Sequence, residues 1–176
     1  MNVVRLLVLG AIREGGASYG YAIQQTLDDW QVRTWTRLHS GSVYHALQQM
    51  TKEGLLAVDA QQPGNRGPGK TLFTLTAMGE AEFLSQLREA LASFDLIELS
   101  AGVAFVDCLP ATEARERLGA TIARLNQNVA RLGAIASGAP QGAGPPRTRD
   151  LLELWRANLA ATADSLGHID IVGPHD

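Results

Sequence analysis

Apolar positions along the chain follow helical spacing, interrupted once by a short stretch of strand rhythm. Val4, Leu7, Val8, Ala11 and Ile12 lie on one helical face and stop at Gly15-Gly16, predicting a first helix over residues 3–14. Ser18 is placed to cap a second helix, about residues 19–30, with Ala22, Ile23 and Leu27 inward. The β-branched and aromatic residues from Thr34 to Leu38 read as a short extended segment. A third helix starts after Ser40 or Ser42 as cap. It carries Val43, Ala46, Leu47 and Met50 at i, i+3, i+4 and i+7, and Gly54 stops it. Residues 55–61 and 70–75 read as strands on either side of a Pro- and Gly-rich tip, 63–69, that cannot be helical. Thr76 then opens another helix containing Met78, Ala81, Phe83, Leu84 and Leu87.

The rear half is helical throughout. Residues 94–106 continue the preceding helix or begin a new one, and Pro110 suits a helix start, where its missing N–H has no partner to lose. Beyond it Leu118, Ile122, Leu125, Val129, Leu132 and Ala136 alternate spacings of four and three, the period of a coiled-coil seam. Residues 137–149 read as a flexible connection, and a last helix, about 148–166, repeats the seam in Leu152, Trp155, Leu159, Thr162 and Leu166. A two-helix pair is too thin to cover such seams alone. Leu118, Ile122, Leu125, Val129, Leu132, Leu152, Trp155, Leu159 and Leu166 are therefore the expected dimerisation residues. The alternative is a monomeric bundle packed on the front half.

Three short helices followed by strand, tip and strand is the layout of a winged helix-turn-helix. The expected fold class is thus mainly α with a small β-hairpin: a winged helix over 1–87 and a helical dimerisation region over 88–176. Charge changes the picture in one respect. The net charge is −3, which alone argues against a nucleic-acid partner. Through Leu75, however, seven Lys and Arg stand against five Asp and Glu, and beyond it eight stand against thirteen. The front half is mildly basic and the rear half acidic, as expected of two parts with separate tasks.

The third helix gives the front half its chemistry. At 100° per residue, His45, Gln48 and Lys52 point about 140–200° away from Val43, with Tyr44 and Gln49 on the flanks. This outward face offers hydrogen-bonding groups and one cation without a carboxylate; Glu53 falls about 280° round, off the face. Gln suits adenine, His and Lys suit guanine acceptors, and Ser or Tyr hydroxyls suit phosphate. In the tip, Arg66 and Lys70 are cations among glycines that let backbone approach a phosphate. Backbone N–H groups near Ser18 and Tyr19, at the second helix's start, are a further candidate anchor.

Residues 6–27 with Ser18-Tyr19-Gly20-Tyr21, then Gly41-Ser42-Val43-Tyr44-His45-Ala46-Leu47, Glu53-Gly54-Leu55-Leu56, and Lys70 through Leu75-Thr76-Ala77-Met78-Gly79 together resemble the PadR family of transcriptional regulators. The resemblance spans roughly residues 3–87. It implies a winged helix-turn-helix whose third helix reads DNA, acting usually as a repressor. It places Gly41, Ser42 and Tyr44 on the recognition-helix signature, and Arg66 and Lys70 on the wing. His45 stands where many members carry proline, so base preference does not carry over. The rear half is similar to longer members in architecture alone.

The resulting expectation is a homodimeric repressor of double-stranded DNA that recognises a dyad-symmetric operator. Its alternative is a winged-helix protein-interaction module with no DNA target. No catalytic set is legible and no cofactor is expected. His39, His45, His168 and His175 lack metal-ligand spacing, residues 64–69 lack the ending of a P-loop, and the single cysteine, Cys108, has no basic neighbour and reads as a buried thiol. Regulators of this family often respond to aromatic compounds. Phe94, Phe105 and Trp155 are accordingly the candidate lining of an effector pocket, although all three also suit a core. Residues 3–12 and 96–106 are too short and too interrupted to span a bilayer, and no secretory start is read. These features predict a soluble, cytoplasmic chain with no membrane partner.

Overall fold

Asn2 opens the first helix, α1 (Val3–Gly15), by accepting the Arg5 N–H at 3.3 Å. Leu6, Leu7, Val8, Leu9, Ala11 and Ile12 are all buried, so this helix is covered nearly all round and forms the centre of its unit. The computed structural model describes residues 1–62, 70–138 and 145–173, which divide into two units. The first is Met1–Ala90 with Asp95–Phe105; the second is Leu91–Phe94 with Val106–Asp176.

In the first unit α1 packs against α2 (Gly20–Asp29), α3 (Ser40–Lys52) and α5 (Leu96–Ala104). A two-residue strand β1 (Ser18–Tyr19), β2 (Leu56–Gln62) and β3 (Lys70–Leu75) form an antiparallel sheet in the order β1-β3-β2. Ser18 lies opposite Phe73, Leu56 opposite Leu75 and Val58 opposite Phe73. The helix α4 (Ala77–Leu91) follows β3 directly. Thr76 caps it: its hydroxyl accepts the Gly79 N–H at 3.0 Å while lying 2.8 Å from the Gly54 carbonyl, joining the end of α3 to the start of α4. At α5 the Asp95 carboxylate accepts the Ile97 and Glu98 N–H groups, so a new helix begins there. Gly10 lets this return segment close on α1, because a Cβ at residue 10 would overlap the Phe105 ring. Phe105 is buried and stands edge-on to both Phe83 and Trp30.

The second unit is an antiparallel pair, α6 (Ala111–Gly138) and α7 (Thr148–Gly167). Arg115 near the start of α6 donates to the Ile171 carbonyl beyond the end of α7, and Gly133 lies against Arg156. The Asp107 carboxylate accepts the Val172 and Gly173 N–H groups, fastening the segment after α7. The Thr121 hydroxyl donates to the Leu91 carbonyl at 2.6 Å, and Arg124 donates to Ala92 while lying 4.4 Å over the Phe94 ring. Residues 91–94 are thereby tied to α6.

Four local expectations are corrected. Ser18 and Tyr19 belong to β1, so α2 begins at Gly20 with Tyr19 as its cap residue, and the Ser18 hydroxyl donates to Gly16 instead of capping. Residues 34–38 form no strand: Val32–Thr34 is a short 3₁₀ turn that Thr34 and Thr36 support by donating to the Gln31 and Val32 carbonyls. The cap residue of α3 is His39, with Ser42 completing the cap from within the helix. Cys108 is half-buried, not buried.

Candidate nucleic-acid interface

The inner face of α3 is fixed by Val43, Ala46, Leu47 and Met50, all buried, and this orients the opposite face outward. Tyr44, His45, Gln48, Gln49 and Lys52 are exposed, as is Gly41 in the first turn. Their shared solvent face matches the helical-wheel expectation residue by residue.

The same local chemistry engages two of the expected contacts. Ser42 accepts the His39 N–H at 3.2 Å and donates its own proton to the His39 carbonyl at 2.6 Å. Its single donor is therefore occupied in the cap and is not offered to a phosphate. Ser18 likewise donates to the Gly16 carbonyl at 3.1 Å, and its backbone pairs with β3. Both serines position the helices. Tyr19 is half-buried, its ring stacked on Tyr21 at 5.8 Å with planes 7° apart. Gly20 between them lets the Tyr44 ring come close, since a Cβ there would lie 2.9 Å from it. Lys70 begins β3, with its backbone opposite Gln62. Arg66 and the tip lie outside the described residues.

Electrostatics favour an anion on this face. Glu53, which follows α3, is held away by Arg5 of α1, whose two terminal nitrogens reach its carboxylate at 3.0 and 2.5 Å. The Arg5 hydrogen bond keeps the Glu53 carboxyl below the usual carboxylate range, and the Glu53 hydrogen bond raises Arg5 against the opposing effect of its burial. The one carboxylate close in sequence to the face is thus paired with a cation. Ahead of α3, Arg37 is exposed and has no hydrogen-bond or ion-pair partner among the described residues, whereas Arg33 is bonded to Asp28 and Ser40. Sequence reading missed Arg37 because it sits in irregular chain off the helical wheel; its signal is an unopposed cation within three residues of a helix start.

Between α3, the start of α2 and the sheet lies a groove of about 650 Å³. Tyr44, Gln48 and Lys52 of the outward face also line it.

The expected dimerisation residues divide by burial. Leu118, Leu125, Leu159 and Leu166 are buried within the single chain. Ile122, Val129, Leu132 and Leu152 are half-buried, and Trp155 is 53% exposed. Trp155 is therefore not part of the intrachain seam; with Leu151 and Leu154 it leaves an exposed apolar run on α7. The expected effector trio also separates. Phe105 is a core ring of the first unit, while Phe94 and Trp155 are exposed residues of the second. Among the described residues no group of three or more His, Cys, Asp or Glu could hold a metal ion, and no helix is long and apolar enough to cross a membrane.

Residues 8–85 match the model of the transcriptional regulator PadR-like family. Among solved structures the chain is similar to Bacillus subtilis PadR, crystallised with operator DNA, at 20% identity and a TM-score of 0.42, covering 96% of this chain and 100% of that one. It is similar to smu.1604c of Streptococcus mutans UA159 at 20% identity and a TM-score of 0.43, covering 93% and 95%. Comparison with curated proteins gives no match. The helix order and the three-stranded sheet agree with the family match, and over residues 8–85 this chain resembles the winged helix of the PadR-like family of transcriptional regulators.

Proposed function

We propose that the protein is a DNA-binding transcription regulator that acts as a homodimeric repressor on a dyad-symmetric operator. In this reading residues 1–87 bind DNA, residues 88–176 hold the dimer, and each subunit lays α3 in a major groove. The observation that carries it is the outward face of α3, exposed along its length, without a carboxylate, and with neighbouring Glu53 neutralised by Arg5. Tyr44 and Arg37 meet phosphate; His45, Gln48, Gln49 and Lys52 meet base edges or the groove wall. The family match over residues 8–85 supports the regulatory role.

For the dimer, the support is the apolar surface that the α6–α7 pair leaves uncovered. The half-buried Ile122, Val129, Leu132 and Leu152 and the exposed Leu151, Leu154 and Trp155 are closed by a second copy. A small aromatic effector that relieves repression completes the proposal.

The test is a mobility shift of the purified chain on duplex from its own promoter region over a salt series. Affinity should fall steeply as salt rises, since each phosphate contact releases counterions. Affinity indifferent to salt would refute phosphate anchoring.

A further inference from the structure

Ser40 of α3 is half-buried, and its hydroxyl oxygen receives hydrogen bonds from two directions. The Gln24 side chain of α2 donates to it at 2.9 Å, and the Arg33 guanidinium donates to it at 3.2 Å. Arg33 is held in turn by Asp28, whose carboxylate accepts its Nε–H at 2.6 Å. A serine hydroxyl has two acceptor lone pairs and one proton to give. Both lone pairs are occupied here, and the proton has no acceptor among the described residues. Ser42, two residues on, is the reverse case, because its proton is spent on the His39 carbonyl. The ground beside Ser40 is open to an anion. A Cβ at Gly41 would meet nothing within 4 Å, Arg37 lies exposed three residues earlier, and the carboxylate of the network is turned to Arg33.

We propose that the Ser40 hydroxyl donates to a DNA phosphate, and that Gln24, Arg33 and Asp28 are the positioning residues that fix the direction of this donation. With both lone pairs taken, the proton is confined to the one remaining tetrahedral corner of the oxygen. The donor is therefore aimed before DNA arrives, and little rotational freedom is lost on binding. Donation to the oxygen by the Arg33 cation also polarises the O–H and makes it a stronger donor. The inference rests on the regulator reading and adds to it a phosphate contact of a different kind, one made without a cation touching the phosphate. Helical periodicity carries no sign of it, since the network joins α2, the turn after it and α3.

The full chain and its variants are compared by fluorescence anisotropy on labelled promoter duplex over a salt series. The same duplex is then scanned with a single neutral methylphosphonate in place of each phosphate in turn. Ser40→Ala should weaken binding about tenfold, the loss of one hydrogen bond to a charged acceptor. The slope of log affinity against log salt should stay as in the wild type, because no cation is removed. Ser40→Thr keeps the hydroxyl and should recover most of the affinity. At one position in each half-site, methylphosphonate should weaken the wild type about fivefold more than it weakens Ser40→Ala, whose donor is already gone. Gln24→Leu should weaken binding less than Ser40→Ala does, since the hydroxyl remains but turns freely. Equal sensitivity of wild type and Ser40→Ala at every phosphate overturns the contact. A flattened salt slope in Ser40→Ala also overturns it, since the substitution would then act by disturbing neighbouring cations. Tighter binding by Gln24→Leu would put the Ser40 proton on Gln24 and overturn the positioning. A wild type that binds no duplex at all refutes the regulator reading, and the contact falls with it.

Discussion

Gly20→Ala separates folding from DNA binding more cleanly than any change on the α3 face itself. Residue 20 is the first of α2, and a Cβ there would lie 2.9 Å from Cε1 of Tyr44, inside ordinary contact distance. Alanine is the better helix former by up to about 1 kcal/mol. Tyr44 is 44% exposed, so its ring can relieve the overlap by turning toward solvent. Such a rotation costs about 0.5–1.5 kcal/mol if it leaves the ring off a preferred rotamer. The two effects nearly cancel, and Tm should move by no more than about 4 °C, given roughly 2–4 °C per kcal/mol for a chain of this size. DNA binding should suffer more, because the Tyr44 hydroxyl is carried away from its phosphate. Losing one such hydrogen bond is worth about 0.5–1.5 kcal/mol, or roughly twofold to twelvefold in affinity. Fluorescence anisotropy on promoter duplex, paired with thermal unfolding monitored by circular dichroism, measures both. Tyr44→Phe should reproduce the affinity loss without the rotation. A Gly20→Ala protein that binds DNA as tightly as wild type would remove Tyr44 from the interface. A fall in Tm above about 10 °C would mean that the ring cannot yield and that its role is structural.

Three further changes address other parts of the account. Arg37→Ala should weaken binding to every duplex alike and reduce the slope of log affinity against log salt by about 0.9, one phosphate contact; an unchanged slope in filter binding would exclude Arg37 from the interface. Glu53→Gln should cost about 0.5–1 kcal/mol near neutral pH by urea unfolding, the range for an exposed ion pair. Because the folded Glu53 carboxyl is held below its unfolded value, that stabilisation is present above the unfolded pKa and disappears as pH falls through the folded one. Wild type and variant should therefore converge on acidification, and a difference that grew at low pH would contradict the pairing. Leu154→Asp, at a position 67% exposed, should dissociate the dimer in sedimentation velocity without lowering helix content. An unchanged sedimentation coefficient would move the interface elsewhere.

How far the sequence disclosed this molecule depended on whether its signal was periodic. The buried and outward faces of α3 follow directly from 3.6-residue spacing, and each residue lies where the wheel puts it. The Thr76 start of α4 was equally legible. Two residues of β1 have no period to detect, and Ser18 before a helical stripe imitates a cap, so the third strand was hidden. The β-branched residues near Thr34 suggested extension, yet their hydroxyls support a 3₁₀ turn through carbonyls three and four residues back. The rear seam leaves its partner open for a different reason. Spacings of four and three mark a helix-packing stripe but do not say what covers it, and Leu118, Leu125, Leu159 and Leu166 are already buried within the single chain. Trp155 fits the stripe by number and is exposed in the single chain. Of the two readings open to Phe105, effector lining or core, the structure takes the core, since a Cβ at Gly10 would overlap its ring. The groove brings together residues from α2, α3, β2 and β3 and could not be assembled from any one segment.

The claim at the centre is that side chains on the outward face of α3 read base pairs. Selection from a pool of random duplexes, run in parallel on wild type, Gln48→Ala and Arg37→Ala, tests it most directly. The wild type should enrich a dyad motif with half-sites about one or two helical turns apart. Gln48→Ala should lose preference at one position in each half-site, whereas Arg37→Ala should keep the motif and bind it more weakly. Enrichment of no motif by the wild type, or an identical motif from Gln48→Ala, would contradict the account.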